Sequence, residues 1–182
     1  MTLRIIGGEW KGRRIEAPPG LDTRPLTDRI KQSLFDWLGQ RLDGQTVADA
    51  CAGSGSFAFE AASRGARSVH ACEPGHSFTT LAKNHRALGA PATVVLHRSP
   101  FQSVLPTLSG LDLVFADPPF PWYADDPALI VSLIGLAAAA LQPEGIILIR
   151  GEQGASLPTV SGLREVERRT YGRSWVARLA RN

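Results

Sequence analysis

The chain has 182 residues, of which 43% are hydrophobic and 20% charged, enough for one domain with a packed core and unlike a disordered chain. Its two cysteines, Cys51 and Cys72, exclude a disulfide framework and a four-cysteine zinc site; both stand in apolar stretches and read as buried reduced thiols. The formal charge of +3 is uneven, because residues 1–42 and 151–182 are basic while residues 43–150 lean acidic, so a polyanionic partner is expected at the ends.

Leu3–Glu16 is β-like, and the Gly7-Gly8 pair between short apolar runs suggests a hairpin. Pro18, Pro19 and Gly20 break it, so residues 1–20 read as a hairpin arm and 21–182 as the main domain. Thr27 offers an N-cap, and Ile30, Leu34, Trp37 and Leu38 recur at helical spacing, predicting a helix over Asp28–Arg41. Strands are then predicted at Thr46–Ala50, Ser68–Glu73, Thr93–His97, Leu111–Ala116 and Gly145–Arg150. Helices are predicted between them at Gly55–Arg64, Gly75–Leu88 and Pro127–Leu141. Leu163–Thr170 and Ser174–Leu179 flank Tyr171-Gly172-Arg173 and read as a closing antiparallel hairpin. The alternation predicts an α/β fold: a mostly parallel seven-stranded sheet with helices on its faces. The N-terminus lacks an apolar signal region. The longest apolar run, Leu129–Leu141, is shorter than the about 20 residues a bilayer needs, so a cytoplasmic protein without membrane contact is expected.

The first of these strands runs into Asp49-Ala50-Cys51-Ala52-Gly53-Ser54-Gly55. Glycines there allow a tight turn and close approach of a ligand, and ligands of open α/β sheets bind at the carboxyl ends of the strands. A dinucleotide and S-adenosylmethionine (SAM) both fit a Gly-x-Gly loop. The acid four residues before the first glycine favours SAM, with Asp49 at its methionine end. Glu73 closes the next strand and can accept both ribose hydroxyls of either nucleoside, and Pro74 sets the turn after it.

Leu111–Ala116 leads into Asp117-Pro118-Pro119-Phe120, the most informative stretch. An exocyclic base amine is a poor nucleophile. A carboxylate at Asp117 and the Pro118 carbonyl can accept its two N–H hydrogens and hold the nitrogen for methyl transfer. The prolines fix φ, and Phe120 offers a face for a flipped base. A dehydrogenase has no use for this motif. Trp122 and Tyr123 follow, and they read as a mobile loop over the base pocket.

Several further elements are shared with one family. Arg4-Ile5-Ile6-Gly7-Gly8-Glu9-Trp10-Lys11-Gly12-Arg13, the Arg24-Pro25-Leu26-Thr27-Asp28-Arg29 element before Leu34–Leu38, the Ala52–Gly55 loop, Ser63-Arg64-Gly65-Ala66 and Asp117–Phe120 together resemble the RsmD family of 16S ribosomal RNA guanine-N2 methyltransferases. The resemblance implies a Rossmann-like class I methyltransferase that uses SAM and acts, as a monomer, on 16S ribosomal RNA in a partly assembled small subunit. It implies that Arg24, Thr27 and Arg29 lie near the cofactor or substrate mouth. Arg4, Lys11, Arg13 and Arg14 cluster around Trp10, a pattern suited to RNA. Three positions depart from the family, and one of them is the second acidic position usual after Glu73, which is missing here. Ser99 stands where an adenine-binding Asp is usual, so its hydroxyl or Phe101 stacking substitutes. Arg150 stands where the strand often ends in Glu. An adenine-N6 acceptor in DNA or RNA, and a non-catalytic ribosome-assembly factor of the same fold, are the competing readings.

Overall fold

The computed structural model describes residues 2–17 and 26–182; Arg24 lies outside the described residues. A seven-stranded sheet has the order β5-β4-β3-β6-β7-β9-β8. Its strands are β3 (Thr46–Asp49), β4 (Ser68–Cys72), β5 (Val94–His97), β6 (Leu111–Ala116), β7 (Leu141–Glu152), β8 (Leu163–Tyr171) and β9 (Ser174–Arg181). The pairs from β5 through β7 are parallel, and β9 is antiparallel to both β7 and β8. This is the expected mostly parallel sheet closed by an antiparallel hairpin. The strand order reverses between β3 and β6, which opens a crevice at their carboxyl ends.

The central strands are buried on both faces, as in Val47-Ala48 of β3 and Leu113–Ala116 of β6. They therefore read as continuous apolar runs rather than alternating ones. One core cluster lies under α1 (Asp28–Trp37), α2 (Ser56–Ser63) and α3 (Ser77–Ala87). There Phe57 stacks between Phe35 and Phe115, with ring centroids 5.3 and 4.0 Å away. The opposite face packs on α4 (Phe101–Val104), the 3-10 turn Leu105–Thr107 and α6 (Pro127–Ala140).

The two-stranded sheet of β1 (Thr2–Arg4) and β2 (Arg14–Glu16) forms as expected, but its glycines have another task. Gly7-Gly8 docks on the end of α2 instead of closing the hairpin turn. A Cβ on Gly8, whose φ is +75°, would lie 1.8 Å from the Ser63 carbonyl oxygen, and one on Gly7 would meet the Arg64 guanidinium. Ser63 Oγ donates to the Gly7 carbonyl (2.6 Å) and accepts from Trp10 N (2.9 Å). Leu3, Ile5 and Ile15 thereby enter the main core.

Several boundaries shift by one or two residues, and some elements differ more from expectation. Helix α1 stops at Trp37, because Gly39 and Gln40 adopt φ of +86° and +68°. Strand β7 begins at Leu141, and the register slips between Leu111 and Leu113, where Gly145 packs against the Leu111 carbonyl. The segment after Phe120 is no open loop: Trp122–Asp125 forms a helical turn, α5, and its Tyr123 is buried. Four-residue elements carry too little periodicity to be seen in a sequence.

Candidate active site

Asp49 ends β3, and Glu73 and Asp117 directly follow β4 and β6, so parallel pairing brings them to one edge of the sheet. Ala50 N donates to the Phe115 carbonyl (2.9 Å), which holds the glycine loop beside the start of the Asp-Pro-Pro-Phe segment. Asp49 is 1% exposed. One oxygen accepts from Ala58 N in the first turns of α2 (3.2 Å), while Oδ1 is buried without a partner. Burial, with the nearby Asp117 charge adding to it, pushes this carboxyl up to about 8. Ser56 Oγ is a second buried orphan, one residue beyond the loop.

The loop glycines divide their roles. Gly55 has φ +86°, and a Cβ there would lie 2.4 Å from a Phe59 ring atom, so it serves helix packing. Gly53 has φ +53° and open space where its Cβ would stand, so its bare backbone faces outward. Glu73 spans the mouth: Oε2 accepts from Gly53 N (3.0 Å) and Oε1 from Gly75 N (2.9 Å). Two bonds leave lone pairs on both oxygens. Ser54 is buried, and its carbonyl accepts from Asn84 Nδ2 (2.9 Å). Ala52 is buried too, with its N–H on the Cys72 carbonyl. Pro74 is exposed at the turn.

Asp117 is part-buried, its side chain 21% exposed, and its Oδ2 pairs with Arg150 Nη1 at 2.9 Å. Burial raises the Asp117 carboxyl above its ordinary value, and the Arg150 charge and hydrogen bond draw it back down. Among the described residues nothing donates to Oδ1 of Asp117. The carbonyls of Pro119 and Phe120 accept from Trp122 N and Tyr123 N, whereas none of these backbone bonds reaches the Pro118 carbonyl. Two acceptors thus stand next to each other in the chain, oriented by a proline backbone and unengaged among the described residues. Phe120 is half-buried beneath the Arg150 guanidinium, 5.3 Å from its ring centroid. The half-buried Trp122 tilts against Phe101 at 6.4 Å.

Other predicted residues sit elsewhere. Phe101 is only 2% exposed, so its ring is spent on core packing, and Ser99 is half-buried just before α4. Thr27 caps α1 by accepting from Ile30 N, and Arg29 is exposed on that helix. Arg4 is tied to Asp28 (2.5 Å). Arg13 caps α3 through the Ala87 and Leu88 carbonyls (2.6 and 3.3 Å). Trp10 packs on the core, while Lys11 and Arg14 are exposed. Sequence reasoning missed the environment of Arg150 and the buried group Lys31, Glu60 and Arg64. A lone charge ending the apolar run Ile146–Ile149 was the available signal for Arg150.

The family model described as Conserved hypothetical protein 95 matches residues 3–179. The chain is 32% identical over 161 residues to Ribosomal RNA small subunit methyltransferase D of Escherichia coli strain K12, covering 87% of this chain and 79% of that protein. It is 31% identical over 175 residues to the protein of the same name from Haemophilus influenzae, covering 93% and 89%. The solved structure of the Escherichia coli protein yhhF matches with a TM-score of 0.85 and 29% identity, over 100% of this chain and 99% of that one.

Proposed function

This chain belongs to the RsmD methyltransferase family described by the Conserved hypothetical protein 95 model, and from that premise we propose that it methylates the exocyclic N2 of a guanine in 16S ribosomal RNA. The observation that carries this reading is the pair of unengaged acceptors, Asp117 Oδ1 and the Pro118 carbonyl, beside the glycine loop.

The cofactor of the reaction is SAM, which supplies an electrophilic methyl on a sulfonium. The loop suits it on two grounds: the orphaned Asp49 Oδ1 is an acceptor for an ammonium, and Gly53 leaves its backbone open. Asp49 would hold the amino-acid end and Glu73 the ribose hydroxyls. An ammonium beside Asp49 would also restore its negative charge, which burial otherwise disfavours.

Asp117 Oδ1 and the Pro118 carbonyl accept the two N–H hydrogens of the target amine. That orients the nitrogen lone pair and stabilises the positive charge that develops on it. Phe120 stacks on the base, which must leave its helix to enter. No covalent enzyme intermediate is required. The N-terminal arm, with exposed Lys11 and Arg14, contacts the phosphate backbone. The enzyme acts in the cytoplasm, as a monomer, on a partly assembled small subunit, where the folded particle helps choose the nucleotide.

The test is incubation with labelled SAM and small subunits from cells lacking the protein, followed by nucleoside analysis. N2-methylguanosine in the 16S RNA, reduced about 100-fold or more by Asp117→Ala, is the expected result. N6-methyladenosine, or label unaffected by Asp117→Ala, would overturn it.

A further inference from the structure

Arg150 is a costly residue in its position. It is 2% exposed, at the end of an otherwise apolar strand, and burying a guanidinium demands several partners. Among the described residues its side chain is held from several directions. Nη1 holds Asp117 Oδ2 at 2.9 Å. Nε donates to Ser174 Oγ at 3.3 Å. Ser174 Oγ in turn donates to the Tyr171 carbonyl (3.2 Å), which leaves its lone pairs directed at the guanidinium. The cation lies over Phe120. The main chain of Arg150 contributes as well: its carbonyl accepts from the hydroxyl of Tyr123 (2.7 Å), anchoring α5, which carries Trp122. Tyr123 is further held edge-on by Trp175 at 5.6 Å.

One residue therefore touches the acceptor carboxylate, the stacking ring and the helical turn that follows it. We propose that Arg150 is a positioning residue for methyl transfer: its guanidinium, steered by Ser174, occupies one oxygen of Asp117 and turns the other toward the acceptor amine while bracing Phe120. The inference rests on the methyltransferase reading of this site. A surface ion pair would have little such effect, since it could rotate and would be screened. Here the fork is buried on one side, and its direction is set by Ser174 before substrate arrives.

The same contact favours the charged form of Asp117 against the burial that raises its carboxyl. Among the described residues, the groups around it include Asp49 at the end of β3, Cys51 in the glycine loop, Tyr123 on α5 and Arg150 on β7. Among these described groups Arg150 carries the positive charge, and burial opposes ionisation of Asp117. A protonated Asp117 would donate rather than accept at one oxygen and could not bind an N–H there.

The experiment compares the wild-type protein with Arg150→Gln and Arg150→Lys, using SAM and unmethylated small subunits between pH 5.5 and 9. Arg150→Gln is expected to lower kcat about tenfold or more at pH 7 and to leave the KM for SAM within about twofold. It is also expected to move the acid limb of the kcat profile at least about one pH unit higher. Arg150→Lys keeps the charge and is expected to restore much of the limb's position while recovering kcat only in part, since an ammonium lacks the fork. Equal, pH-independent losses in both variants together with lowered melting temperatures would make the role merely structural and overturn the proposal. Carboxyl-labelled Asp117 is titrated by NMR in the same proteins without RNA, where Arg150→Gln must raise its midpoint. That readout remains decisive if wild type methylates no RNA, a result that counts against the methyltransferase reading alone; an unmoved midpoint counts against Arg150.

Discussion

Glu60 on α2 lies 3.5 Å from the Nζ of Lys31 on α1, and neither side chain is exposed. Arg64 pairs with the other Glu60 oxygen at 2.8 Å, stacks over Phe35 at 4.3 Å and donates to the Gln40 carbonyl at 3.0 Å. Lys31 also donates to the Arg4 carbonyl, and Ile6 N donates to Glu60 (2.9 Å). One buried carboxylate thus pairs with two cations and bonds the N-terminal segment to the main domain.

Removing that carboxylate leaves buried Arg64 without its carboxylate partner and Lys31 with the more distant Asp28, 3.8 Å away. Glu60→Ala is expected to cost about 3–5 kcal/mol and to lower the melting temperature by roughly 10 °C. Lys31→Met should cost less, because Glu60 keeps Arg64 and the replacement is apolar. Thermal unfolding of both variants checks the order; a larger loss in Lys31→Met would mean that the network does not centre on Glu60.

Asp49 makes the cofactor-free protein pH-sensitive. Its carboxyl is raised by burial from the ordinary 3.8 to about 8, so the folded state binds a proton that the unfolded chain has released. Its contribution is fully present below about pH 4 and is lost as pH rises to about 8. Asp49→Asn removes that loss and should be more stable than wild type at pH 8, by about 2–4 kcal/mol, while losing SAM affinity. Denaturant melts at pH 5 and pH 8 give the difference, and a variant less stable than wild type at pH 8 would refute this account.

The two loop glycines should separate stability from binding. Gly55→Ala meets the Phe59 ring at 2.4 Å on a positive-φ backbone, and an expected loss of about 2–3 kcal/mol follows from overpacking and strain. Gly53→Ala has open space, so only about 1 kcal/mol of backbone strain is expected. Its methyl should nevertheless weaken SAM binding at least about tenfold by obstructing the approach. Calorimetry with SAM beside thermal melts tests both halves.

On the N-terminal arm, charge and architecture also come apart. Replacing exposed Lys11 and Arg14 by Ala should weaken RNA binding and reduce the slope of log affinity against log salt by roughly two, with SAM affinity unchanged. Arg13→Ala should instead lower stability, because it removes the donors on the last carbonyls of α3. A salt slope unchanged in the double variant would place the RNA contact elsewhere.

Much of this protein follows from local rules. Apolar runs, helix caps and turn residues identify the seven strands and the long helices, since each depends on side chains within a few positions. The acids at strand ends are visible for the same reason: in a parallel sheet, every strand's carboxyl end reaches one edge. The sequence alone therefore groups Asp49, Glu73 and Asp117. What tertiary structure alone decides is which charges meet and which are used up. Arg4 and Arg13 look like neighbours in an RNA-binding strip, yet one pairs with Asp28 and the other caps α3. Phe101 looks available for stacking but is enclosed by the core. Lys31 is indistinguishable from a surface lysine until Glu60 is found opposite it. Arg150 looks like a departure from a pattern until strands β6 and β7 set it beside Asp117, 33 positions earlier. Long-range pairing has no local signature, because a charge is buried only when its partner arrives from elsewhere in the chain.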